Sequence, residues 1–152
     1  MIDLAIARLL HVVAVVIWIG GVALVTLVVL PAARAARDPA LFQSVEKRFA
    51  DQTRWTLMIA GLSGLYLIER LDLWVRFADT RFWWMHAMVA LWVLYALALF
   101  ALEPFVLRAR FAERLRRDPE GAMRRMERHH WLVLALSLVT VAGAAAGSHG
   151  LI

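Results

Sequence analysis

The sequence predicts an all-α fold, an integral membrane four-helix bundle with up-down-up-down topology. Hydrophobic residues make up 62% of its 152 residues, whereas soluble domains contain about 45–50%. Four apolar runs each reach about 20 residues, the length that a helix needs to cross a bilayer. We therefore predict a single transmembrane domain over residues 1–152, with spans near 5–30, 55–75, 82–105 and 130–150.

The four runs share a near absence of ionisable side chains. They are Leu9–Leu30, Trp55–Trp74, Phe82–Leu102 and Trp131–Ile152. Histidines are the exceptions in three of them, at His11, His86 and His149, while the second run stays apolar until Glu69 near its end. Intramembrane ionisable groups are rare and usually functional, so these histidines are the first candidates for a site.

The charge distribution predicts the topology. The net charge is +5, and basic residues crowd the first and third connections, the third holding eight arginines between residues 103 and 130. Basic short loops mark the cytoplasmic side, which places both termini outside. Charge arranged in this way is a topology signal, so we predict no nucleic-acid partner. The chain has no cysteine, which excludes disulfides, thiolate metal sites and cysteine nucleophiles.

The connections and the glycines carry packing information. Both basic connections have apolar residues at helical spacing, which predicts either helical extensions of the spans or amphipathic surface segments. Gly121 is the predicted break in the second connection. The chain shows no internal repeat. The "GAAAG" segment from Gly143 to Gly147 is a small-residue face of the kind used in membrane helix packing. This face predicts a close helix–helix contact, which could be made within the chain or in a homo-oligomer through the two glycines. The alternative is that the small residues leave room for a flat cofactor.

Three histidines are predicted to share one layer near the outer surface. His11 follows Arg8 by three residues, His86 follows Arg81 by five, and His149 ends the fourth span on the same side. A rotation of about 100° per residue sets which neighbours share each face. The face of His11 carries Val15, Trp18 and Val22. The face of His86 carries Phe82, Val89, Ala90, Val93 and Leu97. Both faces are predicted to point into the bundle.

These residues suit three kinds of site. The first is a b-type haem between His11 and His86, with Trp18 on the face of His11 and with Arg8 and Arg81 pairing with its propionates.

The second is a copper site made by His11, His86 and His149 with Met85, since imidazole and thioether ligands suit Cu(I). Met88 points about 200° away from His86 on a regular helix. The third is no cofactor.

Two further groups of charged or titratable residues lie near the ends of the spans. Glu69 and Asp72 end the second span at the histidine layer, where one of them could orient an imidazole or pair with a neighbouring arginine. His129 and His130 lie at the opposite end, beside Arg128. They are interpreted as interfacial residues of a basic loop.

Three segments resemble the patterns of CopD-type bacterial membrane proteins: "RLLHVVAVVIWIGG" (Arg8–Gly21), "SGLY" (Ser63–Tyr66) and "MHAMVAL" (Met85–Leu91). The resemblance covers nearly the whole chain and implies a bacterial inner-membrane protein linked to copper uptake or resistance. The histidines at 11 and 86 also resemble those of HemJ-type protoporphyrinogen oxidases, four-helix proteins that bind haem b. In that pattern a lysine stands where this chain has Met88, and a histidine follows the tyrosine where this chain has Ala96. Those departures argue against protoporphyrinogen oxidation.

The leading hypothesis is therefore a CopD-like protein that holds one b haem near the periplasmic face for electron transfer or a haem-linked oxidation. A redox partner protein or a quinone would exchange electrons with it, and the bilayer surrounds it. The alternatives are a copper-handling membrane protein and a structural membrane subunit without a cofactor.

Overall fold

The computed structural model describes residues 2–150, except the side chains at positions 104 and 108. Six α-helices account for most of it, and no strand occurs within that range. They are α1 (Ile2–Leu24), α2 (Leu30–Ala35), α3 (Pro39–Arg70), α4 (Trp83–Ala96), α5 (Arg108–Arg117) and α6 (Pro119–Ser148). The all-α prediction is confirmed. The last two residues of the predicted fourth run lie outside the described range.

The helices join into four long continuous segments, here called rods. Rod 1 is α1 and α2 joined by a π-helical segment, Val25–Val29. Rod 2 is α3, and rod 4 is α6. Rod 3 covers residues 80–117, with the π-helical segment Leu97–Leu107 between α4 and α5. Rods 1 and 3 each pack against rods 2 and 4, so they face each other across the diagonal of the bundle.

The π segments adjoin prolines. Pro31 lies two residues after the end of the first segment, and Pro104 lies within the second. A proline has no amide hydrogen for the carbonyl four residues earlier and its ring crowds that carbonyl, so the local α pattern is interrupted. Wider π turns at such points keep the rod continuous. Rods 1 and 3 therefore continue past the apolar runs as helices, as the spacing in the basic connections predicts.

Both hairpins turn on the same three residues. Arg37-Asp38-Pro39 joins rods 1 and 2, and Arg117-Asp118-Pro119 joins rods 3 and 4. Each aspartate caps the next helix: Asp38 accepts from the amides of Ala40 and Leu41 at 3.0 and 3.1 Å, and Asp118 accepts from Gly121 at 2.9 Å. The proline occupies the first turn, where no amide hydrogen is needed.

One sequence prediction is wrong at these turns. The break in the second basic connection lies at Asp118 and not at Gly121, which is already helical. The two hairpins share an architecture, since each has a proline-associated π segment, an Arg-Asp-Pro turn and an aspartate cap. The shared sequence is only three residues long, and the absence of an internal sequence repeat stays a prediction.

All four rods contribute to the central core. Its buried members are Trp18, Ile19, Val22, Leu57, Leu91 and Leu134. A second cluster lies toward the Arg-Asp-Pro turns and joins rods 1, 2 and 4 through residues such as Leu30, Phe42 and Met123. The outward faces are also apolar: Val16, Leu62 and Leu132 are 64%, 64% and 59% exposed. Apolar surface on both the inside and the outside of a bundle is typical of helices surrounded by lipid.

Within residues 2–150, three helical segments are long and apolar enough to cross a membrane: Ile2–Ala35, Thr80–Glu103 and Pro119–Ser148. The α3 helix is long enough but not apolar enough to belong with these three, although the sequence predicted a span there. Only 14 residues separate Arg54 from Glu69, and polar residues such as Thr56 and Ser63 interrupt them. The helix also ends at Arg70, before the predicted end of that span, and two 3-10 turns, Trp74–Ala78 and Thr80–Phe82, lead to α4.

Candidate functional site

His11 is held by rod 2. Its Nδ1 lies 2.9 Å from the carbonyl oxygen of Ala60 and 3.3 Å from Oγ of Ser63. A carbonyl oxygen only accepts, so Nδ1 carries the proton and donates to it, and Nε2 keeps its lone pair. The missing side chain of Gly64 admits the ring, because a Cβ there would lie 3.1 Å from Cε1 of His11. A histidine oriented in this way through one nitrogen is typical of a metal or haem ligand at the other.

His86 is placed differently. Its side chain is exposed on the outward face of α4. Its Nε2 lies 3.0 Å from the carbonyl oxygen of Phe77 and its Nδ1 lies 3.3 Å from that of Phe82, while the Phe77 ring meets it edge-on at 5.3 Å. Both nitrogens therefore face carbonyl oxygens, that of Phe77 in the connection between rods 2 and 3 and that of Phe82 in the first turn of rod 3. The residue fastens this connection to the start of α4.

The predicted inward face is confirmed for His11 and wrong for His86. Trp18 and Val22 are buried, at 4% and 2% exposure, whereas Val93 and Leu97, on the predicted face of His86, are 41% and 55% exposed. The bundle-facing side of α4 is instead formed by Trp84, Met85 and Leu91. Rod 3 is thus rotated so that His86 points away from His11.

The predicted histidine layer does not assemble into a metal site. His149 forms the C-cap of α6, where its exposed ring donates from Nδ1 to the Ala145 carbonyl at 2.8 Å. Over residues 2–150, no group of three or more His, Cys, Asp or Glu side chains is arranged to hold a metal ion. At the opposite end His129 is exposed, and His130 lies edge-on to the buried Phe42 ring at 6.0 Å.

The other predicted ligand-binding residues have separate environments. Trp18 is buried with its ring edge-on to Tyr95 at 4.7 Å, and this contact joins the diagonal rods 1 and 3. Met85 is buried, at 6% exposure. Arg8 is exposed on rod 1.

Arg81, predicted to pair with a propionate, is an ion-pair partner of Asp79, with Nη2 lying 2.7 Å from Oδ2. The Arg81 side chain holds the pKa of the Asp79 carboxyl below its usual value. Neither carboxylate expected to orient an imidazole contacts His11. Glu69 instead accepts from Nε1 of Trp74 at 2.8 Å, and Asp72 adopts a left-handed backbone conformation, with φ of 49°, where rod 2 ends.

The glycines of the "GAAAG" face receive tryptophans of the same chain. A Cβ at Gly143 would overlap the Trp83 ring, and one at Gly147 would overlap the Trp84 ring. The interpretation as a helix–helix contact is confirmed, and the contact joins rods 3 and 4. The homo-oligomer through these glycines stays a prediction.

A charged group at the other end of the bundle was not singled out from the sequence. Arg54 of rod 2 forms an ion pair with Glu103 of rod 3, and its guanidinium also donates to the Leu99 carbonyl at 3.2 Å. The Glu103 side chain is only 6% exposed. Leu99 lies in the π-helical segment, where the wider turns change which backbone carbonyls can accept a hydrogen bond from a side chain. The only sequence signals were a glutamate just after an apolar run and an arginine just before one, which are equally typical of interfacial residues.

No protein family, curated protein or solved structure was found to match this chain. The resemblance to CopD-type proteins therefore stays a prediction that depends on the three quoted segments.

Proposed function

We propose that the chain is a four-span membrane protein of the bacterial inner membrane, with both termini outside and both Arg-Asp-Pro turns in the cytoplasm. The α3 helix is 32 residues long, about 48 Å at 1.5 Å per residue, which exceeds the hydrocarbon thickness. It packs along α1 and contributes Leu57 to the central core. Trp55 beside Arg54, and Trp74 just beyond its end, are exposed, as aromatic residues are at a membrane interface.

The absence of native cysteine makes this topology directly testable. Ser44 and Ser148 are exposed at opposite ends of the bundle. In intact cells, a membrane-impermeant maleimide should label Ser148→Cys from the periplasmic side, and Ser44→Cys only after the inner membrane is opened. Labelling of both residues from the same side would contradict the odd number of spans, three, that the proposed topology places between them.

At the outer end of this bundle we propose a redox site in which His11 is the protein ligand of a b-type haem. The supporting observation is the hydrogen bond from Nδ1 of His11 to the Ala60 carbonyl, which orients the ring and leaves Nε2 free. Donation to a carbonyl also raises the basicity of the ligating nitrogen. His86 does not fit as the second axial ligand, since it points outward and its Nε2 faces the Phe77 carbonyl.

A bound haem would supply one-electron chemistry, with electron transfer to a quinone or a partner protein as the outcome. The chain's own contribution would be the fixed imidazole, the close approach allowed by Gly64 and the surrounding apolar helices. Arg8, exposed one helical turn before His11, would remain available for an acidic group of the cofactor, whereas Arg81 is paired with Asp79.

Absorbance of the purified protein tests this proposal. After expression with added haem precursor, the wild type should show a Soret band, His11→Ala should lose it, and His86→Ala should keep it. His86→Ala is the matched control because it removes an imidazole at the same end of the bundle that points outward. Loss of the band in both variants would favour the bis-histidine site instead. A colourless wild type would contradict any haem, and copper found by elemental analysis would then support the copper alternative.

A structural membrane subunit is the second candidate, and one observation favours it. The small-residue notches that a flat cofactor could use are filled by Trp83 and Trp84. If this candidate holds, the wild type binds neither haem nor copper, and His11→Ala changes stability only.

A further inference from the structure

An open groove lies between the ends of rods 1 and 4 near the Arg-Asp-Pro turns. Its volume is about 560 Å³, and four arginines line it: Arg34 from rod 1 and Arg124, Arg125 and Arg128 from rod 4. These side chains come from two different helices, so the basic surface depends on the tertiary packing of the bundle.

Two of the four arginines are already committed to carboxylates. Arg34 forms an ion pair with Glu127, which ties rod 1 to rod 4, and Arg124 lies 3.5 Å from Glu120 on its own helix. The third nearby carboxylate, Asp118, accepts the Gly121 amide as a helix cap.

Arg125 and Arg128 are exposed, and within the described part of the chain neither enters an ion pair. The groove therefore presents two guanidinium groups that are not held in ion pairs and outnumber the one remaining carboxylate, Asp118. Such groups suit the planar, bidentate recognition of a phosphate.

Exposed apolar side chains lie on the same two rods, toward the apolar runs. Trp131 and Leu132 come three and four residues after Arg128, about one helical turn along rod 4, and are 49% and 59% exposed. Leu27 and Val28, in the apolar run of rod 1 that precedes Arg34, are 52% and 55% exposed. Each rod therefore carries groove arginines at its end and an exposed apolar surface beyond them. A soluble anion would contact only the arginines, whereas a lipid would place its headgroup there and its acyl chains along the apolar surface.

From this combination we propose that the groove binds the phosphate headgroup of an anionic phospholipid of the cytoplasmic leaflet. Anionic headgroups are enriched in that leaflet and are attracted by basic residues near the surface. The leaflet rests on the proposed topology, but the binding itself does not. Failure of the topology or haem experiments can therefore be separated from failure of this one.

Native mass spectrometry of the full chain in a neutral detergent tests the site, with dioleoyl-phosphatidylglycerol as the probe and dioleoyl-phosphatidylcholine as its neutral counterpart. The wild type should bind the anionic lipid about tenfold more tightly than the neutral one. The double variant Arg125→Gln/Arg128→Gln should lose most of that preference. The matched control Lys47→Gln/Arg48→Gln removes two exposed charges from rod 2 at the same end and should keep it.

Three outcomes would overturn the proposal. Equal loss in the two double variants would mean that general positive charge, and not the groove, attracts the lipid. Displacement of the lipid by millimolar inorganic phosphate would assign the groove to a free anion. Binding of poly-glutamate as tight as that of the anionic lipid would assign it to an acidic protein segment.

Discussion

The two hairpins are built on one plan and differ at their outer ends. In the first hairpin the histidine turns inward and donates to the Ala60 carbonyl of the neighbouring rod. In the second hairpin the histidine turns outward and lies against the Phe77 carbonyl, while Trp83 and Trp84 fill the notches at Gly143 and Gly147. The same local pattern, a histidine at the head of an apolar helix, therefore has two different roles. Which role it takes depends on the side of the rod that meets the neighbouring rods.

The largest loss of stability should come from breaking the Arg54–Glu103 ion pair, which joins the two hairpins. Arg54→Gln removes one partner of a nearly buried carboxylate, and breaking a buried ion pair costs up to about 3 kcal/mol. We expect this loss in the free energy of unfolding, measured by denaturant titration in detergent micelles.

The matched control is Arg116→Gln, which breaks the exposed pair with Glu113 and should cost less than about 0.5 kcal/mol. The double variant Arg54→Gln/Glu103→Gln should recover part of the loss. Equal effects of Arg54→Gln and Arg116→Gln would mean that the buried pair does not join the hairpins.

The tryptophan-filled notch of the second hairpin should respond next most strongly. A methyl group at Gly147 would overlap the rigid Trp84 ring, which is itself 5% exposed. Overpacking of this kind costs about 1–3 kcal/mol, so Gly147→Ala should lower the melting temperature in detergent.

Gly20→Ala is the control, because nothing lies within 4 Å of a Cβ at that helical position. It should be neutral or stabilising, since alanine favours a helix over glycine. A stabilised Gly147→Ala protein would rule out the close approach of rods 3 and 4.

The rotation of rod 3 marks the limit of what the sequence could predict. The all-α class and the helical extensions follow from composition and spacing, and the inward face of rod 1 is marked by Ala7 and Ala14 beside His11. α4 is apolar all round, so the 3.6-residue period does not separate lipid-facing from bundle-facing positions. Trp84 packs against Gly147 of rod 4, and Met85 and His86 follow it on the same helix. The orientation of these two residues therefore depends on a contact between rods, which the sequence of α4 alone does not show.

Removal of the aspartate cap should destabilise the two hairpins by similar amounts. Asp38→Ala and Asp118→Ala each remove the acceptor of the first free amides of a long helix, and loss of such a cap costs about 1 kcal/mol. Both variants should shift the unfolding midpoint by similar amounts. Asn substitutions, which keep an acceptor, should restore most of the loss. If only one alanine variant is destabilised, the two turns are not equivalent despite their shared residues.

The smallest change in stability is expected for the His86→Ala substitution. This variant tests most directly whether the histidines of the two hairpins have different roles. Since the ring is exposed, His86→Ala should change the overall free energy of unfolding by less than about 0.5 kcal/mol. Its contacts are with the connection between rods 2 and 3, so amide hydrogen exchange over residues 71–82 should accelerate while exchange in α1 and α3 stays unchanged. Acceleration in α1 or α3 would instead mean that His86 turns inward and supports the bundle as His11 does.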